Sequence, residues 1–405
     1  MIRVITVGCR LNQAESNQLT GLKPEQLKDY FTSNQQSDFD KANNLIIINT
    51  CAVTREATST SWKMIRRAIK SKPDQPESKV VVTGCLASIE KDKMLATAGI
   101  DAVIPQKEKV KLIDTLFDES SNLKSLNYTF ANNRTRPIIK IQDGCPNQCS
   151  FCIASTIRGK PKSVPLDSVL NEIKSLSETG YKELVLTGLN LGSYGIDINS
   201  SLTELIKQIN FNSYRIRLSS IEPDTISDDL LDLWQTKRLC RHLHISMQSG
   251  DPMILKQMNR KYSPDQFHKL IDMVYNKILD INIGTDIIVG FPNETEQAFN
   301  NTLKLVEELP FGYLHVFPFS PRPNTEAAKL VDNVKPADKK VRVHILKEIS
   351  NKKRQEFHKR FISRELEVIV ENKNSALSDN YIRIILPDNT DHLKGQLYNI
   401  TYWGN

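Results

Sequence analysis

Between about Pro137 and Pro323 the chain repeats one unit six times, a short apolar or β-branched run followed by a stretch of helical period. The predicted strands are Ile138–Gln142, Glu183–Thr187, Arg215–Ser219, His242–Ser246, Gly284–Val289 and Tyr313–Phe317, with helices such as Leu166–Glu178 and Glu296–Glu308 between them. A helix between two strands carries the chain back, so that the next strand pairs in parallel. Six such units predict a partial or complete barrel with its functional groups at the C-terminal strand ends. The exits are Asp143-Gly144-Cys145, Gly188-Leu189-Asn190, Ser220-Ile221-Glu222, Gln248-Ser249-Gly250, Gly290-Phe291-Pro292 and Pro318-Phe319-Ser320. All are polar, glycine-rich or proline-rich.

A second α/β region precedes the barrel. Runs at Arg3–Val7, Asn44–Asn49, Lys79–Thr83 and Asp101–Ile104 alternate with helical stretches such as Thr54–Lys72, in which Thr54 is a candidate N-cap and Trp62, Ile65 and Ile69 share a face. Glu119–Arg136 is polar and reads as a linker. After the barrel, Ala337–Ile362 reads as a basic helix with Leu346, Ile349, Phe357 and Phe361 as its buried stripe. Alternating runs at Leu366–Val370, Tyr381–Leu386 and Leu397–Tyr402 predict a small antiparallel module. The expected division is 1–118, a linker 119–136, a barrel 137–335, a basic helical segment 336–362 and a β module 363–405.

The longest apolar runs, Leu45–Ile48 and Val80–Val82, fall far short of the ~20 residues of a membrane-spanning helix, and the N-terminus reads as a strand, not a signal peptide. The expectation is a cytoplasmic chain without membrane contact. The odd total of 7 cysteines fits metal-bound or catalytic thiols in a reducing compartment. The net charge of +7 is concentrated: Lys335–Arg364 holds 11 Lys/Arg against 3 acidic residues.

Cys145, Cys149 and Cys152 form C-x3-C-x2-C directly after a strand. Three adjacent thiolates repel one another unless a cation holds them, so the loop points to metal ligation. Structural zinc wants four ligands, and no fourth Cys or His lies nearby in sequence; a cubane cluster with one open iron fits three better. Cys9, Cys51 and Cys85 each follow one of the first three strands, in Val7-Gly8-Cys9, Asn49-Thr50-Cys51 and Thr83-Gly84-Cys85. In a parallel sheet those ends share one edge, where such folds place ligands, so the three should converge on a second metal site. Each cysteine alone reads more simply as a buried hydrophobe, and Cys240 is expected to be structural.

The C-x3-C-x2-C loop, with Phe151 before its last cysteine, resembles the signature of the radical S-adenosylmethionine superfamily. The two cysteine triads resemble the layout of the methylthiotransferase family, as do Gly8-Cys9-Arg10-Leu11-Asn12, Asn49-Thr50-Cys51-Ala52-Val53-Thr54, Leu186–Gly195, Arg217–Pro223 and Asp286–Pro292. The resemblance implies an α/β fold: an N-terminal parallel α/β domain, a radical SAM (β/α)6 partial TIM-like barrel and a small C-terminal antiparallel β module of TRAM type. It implies two [4Fe-4S] clusters and S-adenosyl-L-methionine. One cluster makes the radical that activates a C–H bond, and the other handles the sulfur. It assigns cofactor contacts to Phe151, Thr187, Gly188, Ser246, Gln248, Asp286 and Gly290. Glycine at Gly188 and Gly290 suits a backbone that approaches a ligand closely, while Glu222 and Gln248 read equally well as barrel filling.

Cys51-Ala52-Val53-Thr54, Asn190–Gly195 and His315–Pro323 are most similar to the branch acting on threonylcarbamoyladenosine. The implied partners are tRNA, at adenosine 37 of the anticodon loop, and a low-potential electron donor; the chain is expected to act as a monomer. The alternatives within the family are isopentenyladenosine 37 and a ribosomal-protein aspartate. Outside it they are a two-cluster electron carrier and a zinc-dependent RNA-binding protein. The basic segment and Ser378-Asp379-Asn380-Tyr381-Ile382-Arg383, the best TRAM-like match, agree with RNA. Arg158, Lys160 and Lys162 add charge after the cluster loop, where they can equally pair with acidic neighbours. Two departures from the family are Arg158–Ser163, where an arginine- and serine-rich run is expected, and Gly250-Asp251-Pro252 in place of Gly-Ser-Asp. The stretch after Gly21 and the tail from Phe361 also look short or divergent.

Overall fold

The computed structural model describes residues 2–21, 44–72, 77–118, 134–211, 213–386 and 393–404. The stretch after Gly21 and most of the expected linker lie outside them. The chain divides into two compact units, one of residues 1–133, 152–160 and 322–324, the other of residues 134–151, 161–321 and 325–405.

The first unit is built on a four-stranded parallel sheet, β1 (Ile2–Thr6), β2 (Asn44–Thr50), β3 (Ser78–Gly84) and β4 (Ala102–Pro105), in that order. Alternation along the strands divides its core. Leu45, Ile47 and Val81 face Leu19, Leu112 and Ile113 on one side; Ile46, Ile48, Val80 and Val82 face Ile65 and Ala68 on the other. A sheet covered on both faces needs continuous apolar strands, as Leu-Ile-Ile-Ile and Val-Val-Val supply. The helix Arg55–Lys70 begins where expected, with the Thr54 hydroxyl accepting from the Ala57 amide at 3.0 Å. The short helix Ile153–Arg158 contributes Ile153 and Ile157 to the second core.

The second unit holds six parallel strands in two ladders. One pairs β5 (Ile138–Lys140), β8 (Glu183–Thr187) and β9 (Arg215–Leu218); the other pairs β10 (His242–His244), β11 (Asn282–Val289) and β12 (Phe311–Pro318). Parallel bridges Ile216–Leu239 and Ile221–Ile245 join them into one arc. Among the described residues no ladder pairs β12 with β5, so the barrel is partial. The first predicted strand is divided: Gln142–Asp143 (β6) leaves β5 and pairs antiparallel with Lys162–Ser163 (β7). The Gly250-Asp251-Pro252 departure starts a helix, with Asp251 capping the Met253 and Ile254 amides at 2.9 Å and Pro252 at the first position.

The basic helix runs Pro336–Lys359 and buries Leu346 and Phe357, with Phe361 just beyond it, while Ile349 is half-buried. The terminal strands β13 (Glu365–Asn372), β14 (Ser375–Ser378), β15 (Arg383–Ile385) and β16 (Leu397–Thr401) form an antiparallel sheet in the order β15-β14-β13-β16. Sequence reading missed β14, which is only 4 residues long and too short to establish a period. Leu366, Val368 and Val370 pack on Phe357 and Phe361.

Candidate functional site: two cysteine triads

In the first unit β1 to β3 end at the same sheet edge, and register places Thr6 beside Asn49 and Thr50 beside Gly84. Each strand leads into its cysteine. Gly8 has a φ of +102°, and a Cβ there would lie 2.5 Å from Cys51 Cβ, so the Cys9 turn closes directly on Cys51. Cys51 and Cys85 are buried and Cys9 is exposed. Burial pushes the Cys51 thiol up to about 11 and raises Cys85 as well; Cys9 adds to both shifts, and Arg158 opposes both. Three such sulfurs persist together as thiolates only around a cation. The donor set, soft, convergent and half-buried, fits an iron–sulfur cluster.

A buried polar layer fixes this edge. Asn12 donates to the carbonyls of Val7 at 3.0 Å and Thr50 at 2.9 Å, tying together the turns that carry Cys9 and Cys51. Asn49 donates to the Asn12 carbonyl at 2.9 Å, and the Ser61 hydroxyl donates to the Cys51 carbonyl and accepts from its amide, both at 3.1 Å. Glu15 sits among these groups, taking Lys109 at 2.6 Å and Arg158 at 2.8 Å. Arg158 also reaches Asn12 Oδ1 at 2.9 Å. It therefore pairs with an acidic neighbour. Sequence reading missed Glu15 and Lys109, because a buried salt bridge spanning 94 positions leaves no local pattern.

The second triad follows β6. The Cys145 sulfur accepts from the Asn147 amide at 3.4 Å and from Asn190 Nδ2 at 3.6 Å, and burial raises its thiol. Arg260 Nη1 lies 3.2 Å from the Cys149 sulfur, and the same guanidinium pairs with Glu222. Glu222 is thus the partner of a sulfur-contacting arginine. Cys152 is the N-cap of the helix Ile153–Arg158, and Phe151 packs on the Phe291 and Phe319 cluster. Cys240 is fully buried with its thiol pushed up to about 12 by burial, as a packing residue would be.

The remaining candidates line the barrel ends. Asp286 takes the Ser246 hydroxyl at 3.1 Å and His244 Nε2 at 3.1 Å, with His315 Nδ1 at 3.5 Å. Burial raises its carboxyl, but the two imidazoles outweigh this and hold it well below the usual carboxylate range. The three donor atoms lie within 4.8 Å of one another, a spacing one divalent cation can bridge. Behind them the Tyr313 hydroxyl joins His244 at 3.1 Å and His242 at 2.8 Å. Gln248 has a φ of +65°, and its backbone bridges to β11 through Asp286 and Ile288. Thr187 is buried. A Cβ at Gly188 would lie 2.8 Å from Gln142 Oε1, and one at Gly290, where φ is +69°, would lie 2.4 Å from Lys339 Cγ. Both glycines are therefore required by protein neighbours.

Part of the basic helix is engaged within the fold: Lys339 pairs with Asp332, Arg342 with Glu294, and Arg360 with Asp280. Lys340, Lys347, Lys352, Arg354 and Lys359 are exposed. No helix among the described residues is long and apolar enough to cross a membrane.

Residues 139–306 match the model of the radical SAM superfamily, and residues 1–105 match a family described as uncharacterized protein family UPF0004. The chain is 36% identical over 396 residues to the threonylcarbamoyladenosine tRNA methylthiotransferase MtaB of Thermotoga maritima, covering 91% of this chain and 86% of that protein. It is 32% identical to MtaB of Bacillus subtilis, covering 95% and 90%. The tRNA-2-methylthio-N(6)-dimethylallyladenosine synthase of Endomicrobium trichonymphae is 35% identical, covering 86% and 83%. Among solved structures the radical S-adenosylmethionine methyltransferase TsrM of Kitasatospora setae shares the fold, with a TM-score of 0.55 at 14% identity, covering 81% of this chain and 74% of that one.

Proposed function

The chain belongs to the MtaB-like methylthiotransferase family of radical S-adenosylmethionine enzymes, and from that premise we propose that it converts N6-threonylcarbamoyladenosine at position 37 of tRNA into its 2-methylthio derivative. The observation that carries the chemistry is the convergence of Cys9, Cys51 and Cys85 from three strand ends on one sheet edge, in a chain that also bears Cys145, Cys149 and Cys152. Three ligands for each cubane would leave one iron of each open. Cys145, Cys149 and Cys152 would hold the cluster that, given an electron from a low-potential donor, supplies with one S-adenosylmethionine the radical chemistry that removes hydrogen from adenine C2; Cys9, Cys51 and Cys85 would hold the cluster that handles the incoming sulfur, and a second S-adenosylmethionine would supply its methyl group.

The protein's own groups have the following parts in this reading. Asn190 and Arg260 donate toward the Cys145 and Cys149 sulfurs and would offset negative charge on these ligands. Asp286, ionised and held by Ser246 and His244, is an acceptor for polar hydrogens of cofactor or nucleoside. Phe151, Thr187, Gly188, Gln248 and Gly290 shape the strand exits around the cofactor. The exposed cations of Pro336–Lys359 attract the phosphate backbone.

Sequence identity to the dimethylallyladenosine synthase equals that to the MtaB proteins within a few percent, which keeps N6-isopentenyladenosine as the second reading. Anaerobic reconstitution tests the chemistry: about eight irons per chain and cleavage of S-adenosylmethionine are expected. C149A should lose cleavage; retained cleavage would overturn the assignment.

A further inference from the structure

Arg158 closes the helix that starts at Cys152, and its guanidinium is almost wholly buried in the first unit. It makes two kinds of contact. With Asn12 Oδ1 at 2.9 Å it holds the side chain whose amide spans the Val7 and Thr50 carbonyls, the residues just before Gly8-Cys9 and Cys51. With Glu15 at 2.8 Å it shares a carboxylate that also takes Lys109 at 2.6 Å. Two cations therefore meet one carboxylate in a buried layer beneath three convergent sulfurs. The layer adjoins the sulfurs: the position a Cβ on Gly8 would take lies 2.6 Å from Cys51 Sγ and 3.6 Å from Asn12 Nδ2, and Asn12 is the residue that Arg158 holds.

Three thiolates gathered at one edge, two of them buried, need positive charge nearby, and the potential of a cluster follows the net charge and hydrogen bonding around it. We propose that Arg158 is a positioning residue for the site of Cys9, Cys51 and Cys85, and that with Lys109 it raises the reduction potential of the cluster held there, while Glu15 lowers it. This rests on the two-cluster reading above. Arg158 fixes the geometry through Asn12 and tunes the charge through Glu15. A purely structural salt bridge would do only the first.

The test uses the full chain carrying C145A/C149A/C152A, so that only the second triad can hold a cluster, with iron content and potentiometric titration followed by electron paramagnetic resonance as readouts. About four irons per chain are expected; their absence would remove the second-cluster reading and this inference with it. With iron present, R158Q should shift the potential downward, E15Q should shift it upward, and R158K should stay near the parent. If R158Q does not hold iron, E15Q and R158K decide the matter. Shifts of the same sign in R158Q and E15Q, or no shift in E15Q, would overturn the proposal.

Discussion

Tyr381 of the C-terminal module stacks on His242 of the barrel, with ring centroids 4.2 Å apart and planes 20° apart. Tyr381 has a φ of +69°, and the Arg217 guanidinium lies 5.3 Å from its ring. The hairpin Ser378–Ile382 thus enters the N-terminal end of the barrel, where Arg217 donates to the carbonyls of Ser378 and Asp379 at 3.0 Å and Asn282 to that of Asn380 at 2.9 Å. The ring column continues through Tyr313 to His244 and Asp286. The C-terminal antiparallel module is therefore joined to the strands bearing the candidate cofactor contacts.

Removing the Tyr381 ring tests that joint. An aromatic pair contributes ~0.5–1.5 kcal/mol beyond its buried area, so Y381A should lower stability by about 1–3 kcal/mol in a denaturant titration. Iron content should stay unchanged, because both cysteine triads lie elsewhere.

Glu183 is fully buried and takes Arg217 at 2.7 Å and Arg215 at 2.8 Å. Burial raises its carboxyl, but Arg217 and Arg215 outweigh burial and hold it well below the usual range. Its folded pKa lies below its unfolded value of ~4.3, so its contribution is full above that value and is lost as pH falls through the folded pKa. Stability should therefore decline below about pH 5. E183Q leaves two buried guanidinium groups without their carboxylate; it should cost ~3–5 kcal/mol at neutral pH and flatten the acid decline, as measured by Tm against pH.

Gly8 tests the auxiliary triad without touching a ligand. G8A forces an unfavourable φ and a 2.5 Å contact with Cys51 Cβ. About half of the roughly eight irons should be lost, with cleavage of S-adenosylmethionine retained.

The exposed lysines and arginine of Pro336–Lys359 should act through phosphate. K347Q/K352Q/R354Q should weaken tRNA binding and reduce the slope of log affinity against log salt by ~0.7–0.9 per lost contact. An unchanged slope would place the RNA elsewhere.

Much of this architecture was legible in sequence for a physical reason. Strands such as Leu45–Ile48 and helices such as Leu166–Glu178 carry their period within a few residues, and Cys9, Cys51, Cys85 and Cys145 each follow a strand end within three residues. What escaped was nonlocal. Nothing near Glu15 announces Arg158, which lies 143 positions away, and nothing near Glu222 announces Arg260. The break of the first barrel strand at Ile141 depends on Lys162 and Ser163 pairing back onto it. A Cβ at Gly188 or Gly290 would meet Gln142 or Lys339, a second reason for glycine at those strand exits that only a folded chain reveals.

Methylthiolation of threonylcarbamoyladenosine by this chain is tested most directly by mass spectrometry of nucleosides from total tRNA, in a bacterial host that makes threonylcarbamoyladenosine but cannot methylthiolate it. Expression of this chain should produce the 2-methylthio derivative, and C51A should abolish it. Absence of the product from cells whose purified protein carries about eight irons would contradict the substrate assignment and turn attention to isopentenyladenosine.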